Sequence, residues 1–561
     1  MKKLVLALMV ATALLVAACG GGESTTPGGG GETGASSGGD AAAVKKGGLL
    51  RIGTTSGPDS INPFVSFSAT SYILYFETYP YLVQYDENFD LVGDFAESWE
   101  TSADGKTWTF KLKSGGTWSD GTPLTAKDAA YTGNLVIKYR DGAASMLAPY
   151  IAHTTNFEAV DDTTLVITYD APVGNVLSQL QQFVILPQHV IEPIVGAKGK
   201  GLKKWDPMAG GAQVGAGTFF IKQYDKKGTI ILEANQGYYG TKPNVDAVGL
   251  SVYQNSDAML AALDSGQLDA VDTVPATLVN KFENNPKYQL QIGDSTFVYD
   301  IGFNSNPDKP KNKELLDPKV REALAHGVNR QQIIDTVLNG YGKPAATMFT
   351  ELSGDWVNPN IQPEPYDLDA GNAILDELGY TKGSDGIRVK PDGGKMEYQV
   401  ITPDSVEGMD RMFEIIAADW EKLGVKITQQ KMDSTAAFEA IGAPEWKYLD
   451  FDIMMWDWVG YIDPDFMLSV ITCDQYGGWS DTGYCNPEYD KLYVEQGGTV
   501  DPDKRRELVW EMQDIQFRDK PYIQVAQKQN IQAYGANWTN LTDPFLLGLS
   551  KIPWETVGQK G

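Results

Sequence analysis

The sequence predicts a mixed α/β protein of more than one domain, and three observations point there. Apolar and polar residues alternate in Trp108-Thr109-Phe110-Lys111-Leu112-Lys113, as a half-buried strand requires, and Leu165-Val166-Ile167-Thr168-Tyr169 is a second β-rich run. Helix–glycine–strand units dominate the second half, the pattern from which α/β domains are assembled. With 561 residues, 42% of them apolar and 21% charged, the chain is long enough for two to four domains, each with its own core.

Taken in order, Met1-Lys2-Lys3 is a short basic start and Leu4 to Ala18 is an unbroken run of apolar and small residues. That run is too short to cross roughly 30 Å of hydrocarbon as a mature helix, so residues 1–18 read as a signal peptide. Gly20 to Lys46 holds ten glycines in 27 residues and no aromatic, which cannot bury a core and reads as a flexible tether. Leu49 to Thr54 is a strand running into the turn Ser56-Gly57-Pro58-Asp59. Asp104-Gly105 is a hairpin turn between alternating segments, and Thr125 with Asp128 three residues later marks a helix start. Asp317-Pro318 opens a helix along which Val320, Leu324, Val328, Ile334 and Leu338 keep helical spacing up to Gly340. Phe413, Ile416, Ala417, Trp420 and Leu423 form a second amphipathic helix, stopped by Gly424 and followed by the strand Val425-Lys426-Ile427. Asp501-Pro502 starts a third, with Leu508, Met512 and Ile515 on one face.

Charge and composition exclude several functions. Seventy-three acidic residues against 46 basic ones leave a net charge of −27, which argues against nucleic acid as a partner. The three histidines, His153, His189 and His326, are far apart and in no metal-binding spacing, so neither a metal site nor another cofactor is expected. No nucleophile elbow or phosphate loop is present, and Gly215-Ala216-Gly217 lacks the third glycine of a dinucleotide fingerprint, so it reads as a tight turn. A secreted carbohydrate-active enzyme needs only two well-placed carboxylates and stays open on this ground alone.

Two stretches are more specific. Leu15-Val16-Ala17-Ala18-Cys19 resembles the lipobox of bacterial lipoproteins, which implies cleavage before Cys19, lipid on its thiol and a place on the extracytoplasmic face of the cell membrane. Ala96 to Thr132, reading AESWETSADGKTWTFKLKSGGTWSDGTPLTAKDAAYT, resembles the signature region of the family 5 extracellular solute-binding proteins, the oligopeptide, dipeptide and nickel class of ABC importers. The resemblance continues through Val214-Gly215-Ala216-Gly217, Ala262 to Asp269, Phe303-Asn304-Ser305, Val320 to Ala325, Asn486 to Asp490 and Pro521-Tyr522-Ile523.

That resemblance implies the two-lobed periplasmic-binding-protein fold of class II, cluster C-like, with an extra β-rich subdomain at about 85–205. Lobe I is expected at 47–302 and again at 527–561, and lobe II at 303–526. A monomer would close on an oligopeptide or dipeptide and deliver it to ABC permease subunits, breaking no bond. An oligosaccharide on the same fold is the alternative.

The family lines its cleft from the loop after the first strand, here Thr55 and Ser56, and from the segment Met455 to Tyr461. Trp456, Asp457, Trp458 and Tyr461 are therefore candidate ligand residues, with Asn304 on the strand passing between lobes. Trp456 and Trp458 share one strand face, either as a stacking wall or as core, and Asp457 lies on the opposite face. Where the family's peptide binders carry an aspartate for the peptide's amino group, this sequence has Gly460 and Tyr461. Cys473 and Cys485 flank a turn-rich loop; a disulfide is favoured over free thiols or metal ligands. Trp479 in that loop is a further ligand candidate.

Overall fold

The computed structural model describes residues 44–541 and 553–560, apart from Phe67, Glu87, Ser405 and Glu407. The expected signal peptide, Cys19 and nearly all of the expected tether lie outside these residues.

Three sheets organise the chain. The first has seven strands in the order Tyr288–Gly293, Asn530–Gly535, Ala270–Val271, Leu49–Thr54, Ala247–Val252, Thr229–Ala234 and Phe219–Gln223. Its centre is parallel: Leu49–Thr54 pairs with Ala247–Val252 on one side and Ala270–Val271 on the other. Leu50, Ile52, Val248 and Leu250 are buried from the middle of this sheet, the hydrophobic runs that a sheet covered on both faces demands.

The second sheet has six strands, ordered Gly342–Pro344, Tyr522–Lys528, Phe297–Phe303, Ile453–Val459, Glu397–Pro403 and Lys426–Met432. Helices cover both of its faces. Ile453 and Met455 point into one core with Leu324, Ile416 and Trp420, while Met454, Trp456 and Trp458 point into the other with Phe438, Met467 and Met512. A third sheet, four-stranded and antiparallel, runs Ala96–Thr101, Thr107–Leu112, Thr164–Tyr169, Thr154–Asp161 and packs beneath the helix Ala126–Tyr139. Thr125 and Asp128 close that helix's first turn with a reciprocal capping box.

The chain passes between the first two sheets twice, and here the structure differs from the sequence reading. Phe297–Phe303 bonds along its whole length to Ile453–Val459 and Tyr522–Lys528, so it belongs to the second sheet. The first passage is thus at 294–296, not at 302–304. The second is at Gln529, between Tyr522–Lys528 in one sheet and Asn530–Gly535 in the other. A strand that alternates well in both settings does not reveal by its own pattern which sheet it joins.

The helix expected from Asp317 to Gly340 is also two helices. Pro318–Ala325 and Arg330–Val337 are separated by a turn, and Asn329 caps the second through its side chain. Gly327 lets that turn sit against Leu423 and Trp420; an added Cβ would stand 2.7 Å from the Leu423 side chain. The helices Met409–Lys422 and Pro502–Asp519 follow their predicted starts and faces, and Gly424 ends the former at φ +81°.

Candidate ligand site between two lobes

In open α/β sheets, ligands bind outside the carboxyl ends of the parallel strands. In the first sheet these ends are Thr54, Val252 and Val271; in the second they are Pro403, Met432 and Val459. The passage at 294–296 ties the two sets together, because Gly460 N–H donates to the Thr296 carbonyl at 3.1 Å.

Buried polar groups stand at these strand ends and at the passages between the sheets. Asp272 follows the short strand Ala270–Val271, its N–H bonded to the Gly53 carbonyl, and it is 1% exposed. One of its carboxylate oxygens has no hydrogen-bond partner, and burial pushes its pKa up to about 7 against a weaker pull from the Thr54 hydroxyl. Thr296 Oγ1 and Asn530 Nδ2 are likewise buried without a partner. In the second sheet, burial raises Asp457 to about 7 while the charge of Lys528 opposes the rise.

The walls are aromatic and come from both lobes. Tyr72, on the helix Ala69–Thr78, meets Tyr150 with their hydroxyls 3.2 Å apart. From the other lobe, Tyr461 packs edge-on to Phe466 at 5.4 Å, and Phe466 meets Trp479 at 5.5 Å and Trp458 at 6.2 Å. Tyr461 is 40% exposed, yet burial and then the Tyr150 phenol both raise its hydroxyl. The Tyr150 phenol belongs to the opposite lobe.

The lobes also meet outside the cleft. Gly174 N–H donates to the Gly497 carbonyl at 2.8 Å. Ser178 donates to Asp463 at 3.1 Å, while Arg505 grips both oxygens of the same carboxylate at 2.7 and 2.8 Å. Burial alone would raise Asp463, but Arg505 outweighs it and holds the carboxyl below its ordinary value.

The candidate residues divide accordingly. Thr55 and Ser56 stand at the end of the first strand, where Ser56 accepts from Thr70 at 3.2 Å. Tyr461 and Trp479 join the aromatic wall. Trp456 and Trp458 share a strand face as expected, but both are only 6% exposed and pack in the core behind the wall. Asn304 is not at the cleft: it is fully buried, donates to the Tyr448 and Phe451 carbonyls at 2.8 Å and accepts from Asn306 N–H. Cys473 and Cys485 are bridged. Tyr72, Tyr150, Phe466, Asp272 and Lys528 were not foreseen. Asp272, three residues after the Leu268-Asp269 pair of a recognised motif, carried the only local signal. Among the described residues no group of three or more His, Cys, Asp or Glu could hold a metal ion, and no helix is long and apolar enough to cross a membrane.

Residues 90–478, more than half of the chain, match the family model of the bacterial extracellular solute-binding proteins, family 5. The chain belongs to that family. Members are solute-binding proteins of transport systems rather than enzymes, which places the chain outside the cytoplasm. A protein of Brucella ovis named for peptide binding in an ABC transporter is 31% identical over 338 residues, 59% of this chain and 61% of that one. The match thus spans under two thirds of that relative's length. The oligopeptide-binding protein AppA of Bacillus subtilis is 27% identical over 508 residues, 87% of this chain and 89% of AppA. Among solved structures, AppA of Bacillus subtilis in complex with a nonapeptide aligns with a TM-score of 0.71 at 23% identity, over 92% of this chain and 100% of that one. The substrate-binding protein CtaP of Listeria monocytogenes reaches 0.78 at 21% identity, over 92% of this chain and 100% of that one. Both likenesses support the two-lobed α/β fold.

Proposed function

We propose that this chain is a lipid-anchored, extracytoplasmic receptor that captures an oligopeptide or dipeptide between its lobes and hands it to the permease of an ABC importer. The observation that carries the reading is the two lobes in contact through Ser178 and Asp463, with the carboxyl ends of the parallel strands of both sheets gathered at the passage between them. Ligand touching both exists as a bound species only when the lobes are together, so it shifts the equilibrium toward the closed form. The relatives named for peptide binding favour peptide as that ligand. No bond is made or broken, and a monomer suffices. On this reading lobe I comprises 47–293 and the residues after Gln529, with the four-stranded sheet as its β-rich subdomain, and lobe II lies between. Thr55, Ser56, Tyr461 and Trp479 contact the ligand, and Cys19 carries the lipid.

The neutral, ring-rich wall of Tyr461, Phe466 and Trp479 also suits a sugar face, which keeps an oligosaccharide as the second reading. Native mass spectrometry of residues 47–561, followed by release of co-purified ligand, separates the two. A ladder of peptide masses is the expected result. An empty protein whose melting temperature rises with cello- or xylo-oligosaccharides, but not with peptides, would move the assignment to sugar.

A further inference from the structure

Residues 193–205 carry four lysines, Lys198, Lys200, Lys203 and Lys204, and no acid, in a chain whose net charge is −27. All four are exposed, and among the described residues none of their ammonium groups makes an ion pair or a hydrogen bond. Exposed lysines elsewhere are commonly paired, as Lys395 is with Asp385, Lys426 with Glu397, Lys431 with Asp410 and Lys447 with Glu445. The acids that flank the segment are engaged locally. Glu192 accepts the Gln188 amide at 3.1 Å, and Asp206 accepts the Met208 N–H at 2.9 Å.

The fold holds this segment as a tight knot. Gly201 N–H donates to the Val195 carbonyl at 3.0 Å, and an added Cβ at Gly201 would stand 1.5 Å from the Ile194 carbonyl oxygen. Gly199 is buried against Tyr139 and Ala143, and Leu202 is fully buried in the core beneath. Asn62 fixes the far end, its amide donating to the Leu202 and Trp205 carbonyls at 2.8 and 2.9 Å. Lys198 keeps a left-handed backbone at φ +56°, where a glycine would carry no strain. The lysines thus take the outward positions of a rigid support, and no large apolar side chain is exposed among them.

The chemistry of this surface selects its partner. A protein interface needs an apolar, desolvated centre, and lysine is depleted there. Lysine ammoniums are hydrated point charges, which suit a diffuse anionic field. Carboxylates on other faces do not cancel that field, because charges are screened beyond about 8 Å at physiological salt. The start of the described chain lies in the same lobe, where Val44–Lys45 pairs with Gly558–Lys560.

We propose that Lys198, Lys200, Lys203 and Lys204 form a contact surface for anionic lipid headgroups, which turns this face of lobe I to the membrane. A lipid on Cys19 alone would leave the body free to rotate, and the patch gives it a preferred side. The inference takes its purpose from that lipid reading, but the contact itself needs no lipid on the protein.

The test uses the mature chain from Gly20 onward, without lipid, sedimented with vesicles of phosphatidylcholine alone or mixed equally with phosphatidylglycerol. Each lysine near an anionic surface is worth roughly fivefold in binding, so the mixed vesicles should retain the chain at least about tenfold better. Raising the salt from about 0.1 M to about 1 M should abolish the difference. Lys198→Gln, Lys200→Gln, Lys203→Gln and Lys204→Gln together should abolish it too, at an unchanged melting temperature. The quadruple Lys→Arg change should keep it. Lys395→Gln, Lys426→Gln, Lys431→Gln and Lys447→Gln alter the net charge equally in lobe II and should leave retention as it was. An equal loss in that control would reduce the effect to net charge and overturn the proposal. So would equal retention on neutral vesicles, or none on either kind. Transport lost in cells through the first glutamine variant, with no vesicle binding by the unaltered chain, would assign the patch to an acidic protein partner instead. Failure here leaves the lipid reading intact, since the mass of the membrane-extracted chain tests that separately.

Discussion

Asp272 and Asp457 show what a single buried acid does to the molecule. Each has a pKa near 7 in the folded chain against an ordinary value of 3.8, so between those values the native state binds more protons than the unfolded one. Stability from these groups is fully present below about pH 4 and is lost as pH rises through about 7. Calorimetry should therefore find a higher melting temperature at pH 5.5 than at pH 7.5, and Asp457→Asn should flatten the slope. Asp463 behaves in the opposite sense, because Arg505 depresses its pKa and its contribution disappears only as pH falls below about 4. On the proposed reading, ligand contact turns on Tyr461. Removing its ring in Tyr461→Ala should weaken retention of the natural ligand about tenfold while the melting curve stays in place, the pattern of an exposed anchor rather than a core side chain. Tyr461 was legible as a ligand candidate because the family segment placed it, and Trp479 because it lies in the turn-rich loop between Cys473 and Cys485. Trp458 was ambiguous, since nothing in Trp-Asp-Trp says which strand face looks into the lobe.

At the level of elements, local signals worked where the chemistry is local. The capping box at Thr125 and Asp128, the Asp104-Gly105 turn and the aspartate caps before Pro318 and Pro502 all act within a few residues, and each produced the predicted boundary. The break at Gly327 did not show, because it depends on Leu423 and Trp420 arriving from a distant helix. A similar distant contact governs the helix Ala126–Tyr139. An added Cβ at Gly133 would lie 2.3 Å from the Phe157 ring, so the helix can sit this close to the four-stranded sheet only with glycine there. Gly133→Ala should cost about 1–3 kcal/mol in urea titration through overpacking. The loop between Cys473 and Cys485 carries both Trp479 and Asp481, and its bridge restrains the unfolded chain. Cys485→Ser should lower stability by about 3 kcal/mol under oxidising conditions, and reducing agent should cost the wild type a similar amount but leave the variant unchanged.

For the whole molecule, the balance between open and closed lobes depends on contacts made without ligand as well as with it. Ser178 reaches Asp463 across the lobes, and Asp463 is already neutralised by Arg505, so this bond adds to closure without exposing an unpaired charge. Apparent affinity scales with the fraction of molecules in the binding-competent form. Ser178→Ala should raise the apparent Kd about threefold and enlarge the radius of gyration of the ligand-free protein in small-angle scattering, with little change in the closed, ligand-bound form. An unchanged radius would mean that the Gly174–Gly497 bond and the surrounding packing set the closed state alone.

The sequence by itself determined the α/β class, the strand and helix starts, the family and hence the two lobes, because each of these is carried by short-range periodicity or by an ordered string of motifs. Only the tertiary structure decided that Phe297–Phe303 belongs to the second sheet, that Asn304 is committed to the Tyr448 and Phe451 carbonyls, and that Trp456 and Trp458 pack in the core. The physical reason is the same in every case. Sheet membership, burial of a polar group and the pKa of an acid depend on what packs against it, and those neighbours come from segments whose separation along the chain carries no local signal.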